Sequence, residues 1–217
     1  MGLLLSIETS TKNSSIALAL EGKIIALKES KEQRPSEVLH LYIEEVFKNT
    51  KFTLQDLQAV ALSKGPGSYT GLRVGTSAAK GLCFSLNIPL ISLETLEVLA
   101  NQAKDKSFDF VIPMLNSKRM EVFTAIFDKK ENHKSATFAK VLEEKSFQEY
   151  LAKGKVLFIG DGVKKFKEIC KHPNAVFQES FPSAKEMISS AQNKFTQQDF
   201  ENTAYFEPYY LKDFVVK

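Results

Sequence analysis

The fold is decided by the stretch Gly65-Pro66-Gly67-Ser68-Tyr69-Thr70-Gly71-Leu72-Arg73-Val74-Gly75. It follows the short apolar run Ala59 to Leu62 and continues to Leu86 with the spacing of a helix. This pattern predicts a strand, a glycine-rich turn and a helix. Gly65 and Gly67 allow backbone angles that a Cβ would disfavour, so the turn needs them whatever the function.

One face of the predicted helix carries only small or apolar residues, namely Gly71, Gly75, Ala78, Ala79 and Leu82. Each interior glycine costs about 1 kcal/mol relative to alanine, so the helix must approach another group closely to offset that cost. That group is either the protein's own sheet or the helix of a partner, and the pattern does not choose between them.

Several familiar catalytic signatures are absent. A Walker loop needs a Lys-Ser or Lys-Thr pair after its last glycine, whereas Gly71 is followed by Leu72 and Arg73. The three histidines form no H-E-x-x-H or H-x-x-x-H pair, and no G-x-S-x-G elbow occurs. We therefore predict no catalytic residues and no metal site in this chain.

Composition indicates a soluble globular protein. The 217 residues are 43% hydrophobic, and a net charge of +3 lies far below that of a dedicated nucleic-acid binder. Cys83 and Cys170 lack C-x-x-C spacing and are predicted to be reduced, packed thiols. No apolar run reaches the ~20 residues of a membrane span. We expect a cytoplasmic protein with no membrane contact.

The element order is predicted to occur twice. The first half reads β-β-β-α-β-α-β-α, with strands at Leu3 to Glu8, Ser15 to Leu20, Lys23 to Lys28, Ala59 to Leu62 and Pro89 to Ser92, and helices at Glu37 to Lys48 (capped by Ser36), from the glycine turn to Leu86, and at Leu93 to Ala103. The second half reads likewise, with strands at Phe108 to Leu115, Met120 to Phe127, Ala136 to Leu142, Val156 to Ile159 and Ala175 to Gln178, and helices at Ser146 to Ala152, Val163 to Cys170 and Ser183 to Phe195.

Two tandem copies of this order predict an α/β fold of two RNase H-like lobes, as in actin, Hsp70 and sugar kinases. The boundary is placed within Gln102 to Ser107, which gives an N-terminal lobe of residues 1–105 and a C-terminal lobe of residues 106–217. Such an architecture does not by itself fix a function.

Active members of this architecture hold ATP between lobes, with magnesium held by acids in the hairpin turns. The first turn offers Glu8, Thr9 and Ser10, whereas the second, Asn116 to Arg119, has no carboxylate before Glu121. We therefore expect Glu8, Thr9 and Ser10 to be at most a vestigial phosphate turn.

Two further patterns leave alternatives open. Gly160-Asp161-Gly162 is either a simple turn from strand to helix or a place for an adenosine. The second half is also crowded with lysines, which form either a solvated helix face or a footprint for RNA phosphates; they are Lys153, Lys155, Lys164, Lys165, Lys167 and Lys171.

Taken together, five segments, with Pro89 and Ser92 to Leu96 beyond the fourth of them, resemble the bacterial TsaB (YeaZ) family. They are Ile7 to Ser10, Ser36-Glu37, Gly65 to Gly75, Ala79 to Leu82 and Glu207 to Lys212. The chain departs from the family pattern at Pro35, where a histidine is common, and at Asn116, where an aspartate is usual.

The resemblance implies a non-catalytic scaffold subunit. In that family TsaB pairs with TsaD, which transfers threonylcarbamoyl to N6 of the adenosine next to the anticodon in tRNAs that read ANN codons. TsaC makes the threonylcarbamoyl donor, TsaE is an ATPase, and tRNA is reached through the complex. TsaD carries a metal-binding H-x-x-x-H that has no counterpart in Glu94 to Leu99.

The resemblance also implies that this chain alone binds no cofactor tightly, and that ATP or ADP and metal belong to the partner subunits. The family pairs through helices of the first lobe, and free chains can form a homodimer by the same surface. We therefore predict a partner interface made of Leu39, Ile43, Phe47, Gly71, Arg73, Gly75, Ala78, Ala79 and Leu82, where Gly75→Leu or Ala79→Trp would abolish pairing.

Two alternatives remain from the residues themselves. The chain could be an ATP-dependent small-molecule kinase of the same architecture, which requires that it bind Mg-ATP alone. It could also be a stand-alone RNA-binding module, which requires a salt-sensitive affinity for tRNA.

Overall fold

The computed structural model of the protein describes residues 2–30, 35–103, 107–128 and 133–212. Contacts within the chain divide it into two units. The first unit takes residues 1–98 and 182–210, and the second takes residues 99–181 and 211–217. Of the helices in these described ranges, none is long and apolar enough to cross a membrane.

The first unit is built on a five-stranded sheet with the order β3-β2-β1-β4-β5. Its strands are β1 Leu3–Glu8, β2 Ser14–Leu20, β3 Lys23–Ser30, β4 Ala59–Gly65 and β5 Leu90–Glu94. Strand β1 pairs antiparallel with β2 and parallel with β4. The helices are α1 Pro35–Lys48, α2 Tyr69–Leu86 and α3 Thr95–Ala100. The predicted order of the first half is confirmed.

Two helix starts differ from prediction. Helix α1 begins at Pro35, so Ser36 lies in its first turn and not in front of it as a cap. Helix α3 begins at Thr95 because β5 extends to Glu94.

The second unit repeats the sheet path, with the order β10-β7-β6-β11-β12. Its elements are β6 Phe110–Asn116, β7 Glu121–Thr124, β8 Phe127–Asp128, β9 His133–Lys134, β10 Phe138–Val141, α4 Gln148–Leu151, β11 Val156–Ile159, α5 Val163–Ile169 and β12 Ala175–Gln178. The predicted strand Met120 to Phe127 is interrupted, because β7 pairs with the end of β6 and β8 with its beginning. The two RNase H-like sheets are otherwise as predicted.

The last helix, α6 (Ile188–Gln197), does not belong to the second unit. Together with the preceding 3₁₀ turn Ala184–Met187 it packs on β1, β2 and β5 of the first sheet. That face is lined by small and apolar side chains such as Ala17, Ala61 and Ile91, which Met187 and Ile188 cover. The predicted division at residues 105 and 106 is therefore wrong for residues 182–210, because the apolar face of the first sheet needs this cover.

The glycines of α2 lie against the first hairpin turn. A Cβ at Gly71 would overlap the carbonyl oxygen of Thr9, and a Cβ at Gly75 would overlap its hydroxyl. The Thr9 hydroxyl donates to the Gly71 carbonyl at 2.8 Å. Of the two partners left open by the pattern, the structure selects the protein's own first unit. Gly81, by contrast, has nothing within 4 Å of a Cβ position.

We expect Gly71→Ala to destabilise the protein by about 2 kcal/mol or more, because the added methyl must displace the backbone of Thr9. The matched control is Gly81→Ala in the same helix, which should leave stability unchanged or raise it by up to about 1 kcal/mol. Urea unfolding of both variants measures the difference. Equal unfolding midpoints for the two would show that the Thr9 contact does not constrain the helix.

Candidate functional site

The side chains of the predicted phosphate turn are buried, and their hydroxyl groups are hydrogen-bonded within the first unit. Glu8, Thr9 and Ser10 are all buried. The Oε1 atom of Glu8 accepts hydrogen bonds from the backbone N–H and from the hydroxyl of Ser10, both at 2.6 Å. Because the Thr9 hydroxyl is bonded to Gly71, both hydroxyls of the turn already have partners inside the unit. A phosphate would have to displace these bonds.

The carboxyl of Glu8 is fully buried, which changes its pKa. Burial raises its pKa above the ordinary carboxyl value, and the hydrogen bonds from the backbone and side chain of Ser10 oppose this shift without cancelling it. Desolvation penalises the charged form, so the site favours a neutral carboxyl more than water does. A group in this state is a poor ligand for a magnesium–phosphate pair.

The corresponding turn of the second unit also uses its polar groups internally. The two oxygens of Glu121 accept from the Lys212 ammonium at 2.6 and 2.7 Å, and the Ser117 hydroxyl donates to Glu121 at 3.0 Å. The Lys212 hydrogen bond is the largest cause of a lowered pKa of Glu121. Lys165 donates to the carbonyls of Ser117 and Glu121 at 2.7 and 3.2 Å. In the described ranges no group of three or more metal-ligating side chains occurs.

The segment Gly160-Asp161-Gly162 is the turn between β11 and α5. The Asp161 carboxylate accepts from the backbone N–H of Asn116 at 2.8 Å, and Gly162 donates to the Met114 carbonyl at 2.9 Å. A Cβ at Gly160 would overlap that same carbonyl oxygen. Both glycines are therefore explained by close packing against β6. This favours a simple turn from strand to helix over an adenosine site.

The predicted partner interface is partly wrong. Leu39 and Ile43 are buried in the core between α1 and the sheet, and Gly71, Gly75 and Ala79 are buried on the sheet side of α2. These five residues cannot touch a partner without unfolding the unit. Phe47, Ala78 and Leu82 are half-buried and pack against the same core, whereas Arg73 is exposed.

The outer faces of α1 and α2 form a different surface, which we call the helix surface. It consists of the exposed residues His40, Leu41, Arg73, Ser77, Gly81 and Phe84. Leu41 is 56% exposed and Phe84 is 87% exposed. A shallow cavity of about 460 Å³ lies between the two helices and is lined by His40, Arg73 and Ser77, with Val74 and Ala78.

The helical periodicity of α2, from which the partner interface was wrongly predicted, also explains the position of the helix surface. If Gly71 and Gly75 face the sheet, then Arg73 and Ser77 point to the opposite side of the helix. The sequence pattern did not indicate whether the face of small residues on α2 points toward the sheet or away from it.

The segment of residues 204–210 packs against α2. The Tyr210 ring stacks on Tyr69 at 4.6 Å between centroids, and Arg73 Nε donates to the Tyr210 hydroxyl at 3.3 Å. Lys80 donates to the carbonyls of Ala204 and Phe206 at 3.1 and 3.0 Å. These contacts join residues more than a hundred positions apart, so local pattern could not reveal them. The resemblance of Glu207 to Lys212 to a family signature was the available signal.

Comparison with known proteins identifies a family and several relatives of this chain. A family model described as TsaD, tRNA N6-adenosine threonylcarbamoyltransferase, matches residues 29–217. The tRNA threonylcarbamoyladenosine biosynthesis protein TsaB of Buchnera aphidicola subsp. Schizaphis graminum is 31% identical over 196 residues, which cover 86% of this chain and 91% of that protein. The TsaB protein of Escherichia coli K12 is 27% identical over 219 residues, which cover 97% of this chain and 94% of that one.

A solved structure described as YeaZ from Pseudomonas aeruginosa matches with a TM-score of 0.81 at 20% identity. It covers 97% of this chain and 100% of that chain, and at this identity it supports the fold alone. The relatives that match nearly the whole chain in sequence support a narrower assignment, because both are TsaB proteins. The chain therefore belongs to the family described by the TsaD model and, within it, to the TsaB (YeaZ) group.

Proposed function

We propose that this chain is the non-catalytic subunit that pairs with a TsaD transferase, which adds threonylcarbamoyl to N6 of the adenosine next to the anticodon in tRNAs reading ANN codons. The observation that carries the proposal is the near full-length relation to proteins named for tRNA threonylcarbamoyladenosine biosynthesis. TsaC and TsaE act in the same pathway, and tRNA is reached through the complex.

The absence of catalysis by this chain alone is inferred from the two hairpin turns. In the first, the hydroxyls of Thr9 and Ser10 are committed to Gly71 and Glu8. In the second, Glu121 is paired with Lys212. ATP or ADP and metal are therefore assigned to the partner subunits, and no observation favours a small-molecule kinase.

The helix surface is the proposed contact with TsaD. It combines two exposed apolar side chains, Leu41 and Phe84, with Arg73, and aromatic and arginine side chains are enriched in protein interfaces. Gly81 has open space around it and allows the backbone of a second helix to come close. When TsaD is absent, the same surface offers a contact for a second copy of the chain.

Modification of tRNA should depend on this chain. Threonylcarbamoyladenosine formation is measured on an unmodified ANN-decoding tRNA with TsaC, TsaD and TsaE, in the presence and absence of the protein. We expect product only when it is present, together with a chromatographic peak of the size of the complex. Full activity in its absence would refute the scaffold role.

Phe84→Asp should weaken binding to TsaD at least tenfold, because a carboxylate would be buried in an apolar contact. The matched control is Val141→Asp, which places the same charge on an apolar side chain of the second unit that is 58% exposed. Calorimetric titration with purified TsaD measures both dissociation constants. Should the two variants bind TsaD equally well, the helix surface is not the interface.

Glu8→Gln should remove a pH dependence of folding. Because the pKa of Glu8 is raised in the folded state, that state binds more protons than the unfolded chain at pH values above the ordinary carboxyl pKa of 4.5. The contribution of Glu8 to stability is therefore fully present below this pKa and is lost as pH rises, by at most about 1.4 kcal/mol per pH unit.

The amide cannot ionise and keeps an acceptor for Ser10, so the variant should be the more stable protein at pH 8 and nearly equal to the wild type at pH 4.5. Denaturant unfolding across this range gives the comparison. Parallel pH profiles for the two proteins would mean that Glu8 does not titrate differently on folding.

A further inference from the structure

The positive charge of the protein is concentrated in the second unit. Its segments contain 17 lysines and arginines against 12 acidic residues, whereas the first unit contains 12 against 14. The proposed role in pairing with TsaD uses only the first unit. The proposed pairing with TsaD therefore does not explain the positive charge of the second unit.

Two loops bring lysines to one end of the second sheet. Strands β11 and β12 are parallel, so the loops that enter them meet at the same edge. Lys153 and Lys155 precede β11, and Lys171 precedes β12. The loops are fastened by Asn174, whose carbonyl accepts from the Val156 N–H at 2.9 Å and whose side chain donates to the Leu151 carbonyl at 2.9 Å.

Not all of the lysines noted in the sequence belong to this group. Lys164 pairs with Glu179 at 3.1 Å, and Lys165 is occupied by two carbonyls of the β6–β7 turn. The other four are exposed and form no ion pair within the part of the chain that the structure describes. We call them the lysine surface; they are Lys153, Lys155, Lys167 and Lys171.

The nearby carboxylates only partly neutralise these charges. Asp109 lies beneath the first loop, where it accepts from the backbone N–H of Lys155 at 2.8 Å. Glu149 and Glu168 are exposed on α4 and α5. No large hydrophobic side chain of either loop is exposed among the described residues. The Lys153 ammonium lies over the Tyr150 ring, and the Lys171 ammonium donates to the Lys167 carbonyl at 3.4 Å, but neither contact neutralises the charge. The surface therefore offers point charges without an apolar anchor. Phosphates are the groups that such a surface fits, because they need charge and no shaped pocket.

We propose that the lysine surface contacts the phosphodiester backbone of tRNA directly. The choice of tRNA as the RNA rests on the proposed function. The contact reads no bases, because lysines at phosphates fix position without sequence information. In this arrangement the first unit holds the transferase, and the second unit adds affinity for the tRNA substrate.

The test is equilibrium binding of an unmodified ANN-decoding tRNA transcript to the full chain alone, across a series of salt concentrations. Each phosphate contact contributes about 0.9 to the slope of log K against log salt. The variant Lys153→Gln/Lys155→Gln/Lys171→Gln removes three contacts and should lower the slope by about 2.7 and weaken binding about tenfold at moderate salt. Glu168→Gln should strengthen binding, because it removes a charge that repels phosphate.

The matched control removes three exposed lysines of the first unit, Lys23, Lys48 and Lys51, by the same substitutions. An equal loss in this control would overturn the proposal, because only net charge would then matter. The absence of salt-sensitive binding by the wild-type chain would overturn it as well. If the triple variant keeps its tRNA affinity but loses TsaD, the lysine surface contacts an acidic protein face and not RNA.

The two proposals fail separately. Reconstituted modification that needs this chain, combined with unchanged tRNA binding by the triple variant, would refute only the lysine surface. Modification without the chain would refute the scaffold role, while the binding series would still report on the lysines.

Discussion

The contact between Thr9 and the glycines of α2 is the constraint on which the first unit depends. With only hydrogens on Gly71 and Gly75, the helix lies directly on the first hairpin turn. The bond from the Thr9 hydroxyl to Gly71 then fixes the rotation of the helix about its axis. Consequently Arg73 and Ser77 point outward, and the helix surface is set by a contact on the opposite side of the same helix.

That contact also explains why the first turn does not behave as a phosphate site. In a nucleotide-binding turn the hydroxyl and amide groups are left available for phosphate oxygens. Here Thr9 is the anchor of α2 and Ser10 is a hydrogen-bond donor to a buried carboxyl. Under the proposed function, the residues that could have held a nucleotide have become the support for an interaction surface.

Hydrophobic periodicity was enough to predict the element order of the first half, because that order depends on local patterns. It could not say which sheet a helix covers, and so α6 was placed in the wrong unit. It also could not tell whether the small face of α2 meets a sheet or a partner, and Leu39 and Ile43 were misassigned for the same reason. The break between β7 and β8 depends on pairing with β6, which no local pattern contains.

The position of α6 has a consequence for the order in which the protein is made. The backbone N–H of Ala184 donates to the hydroxyl of Ser15, and the two residues are 169 positions apart in sequence. Multidomain chains generally fold from the N-terminus as each domain leaves the ribosome. One apolar face of the first sheet stays uncovered until residues 99–181 of the second unit and then the covering segment have been synthesised. During translation the first unit therefore has all five of its strands long before it has the helix that covers one face of its sheet.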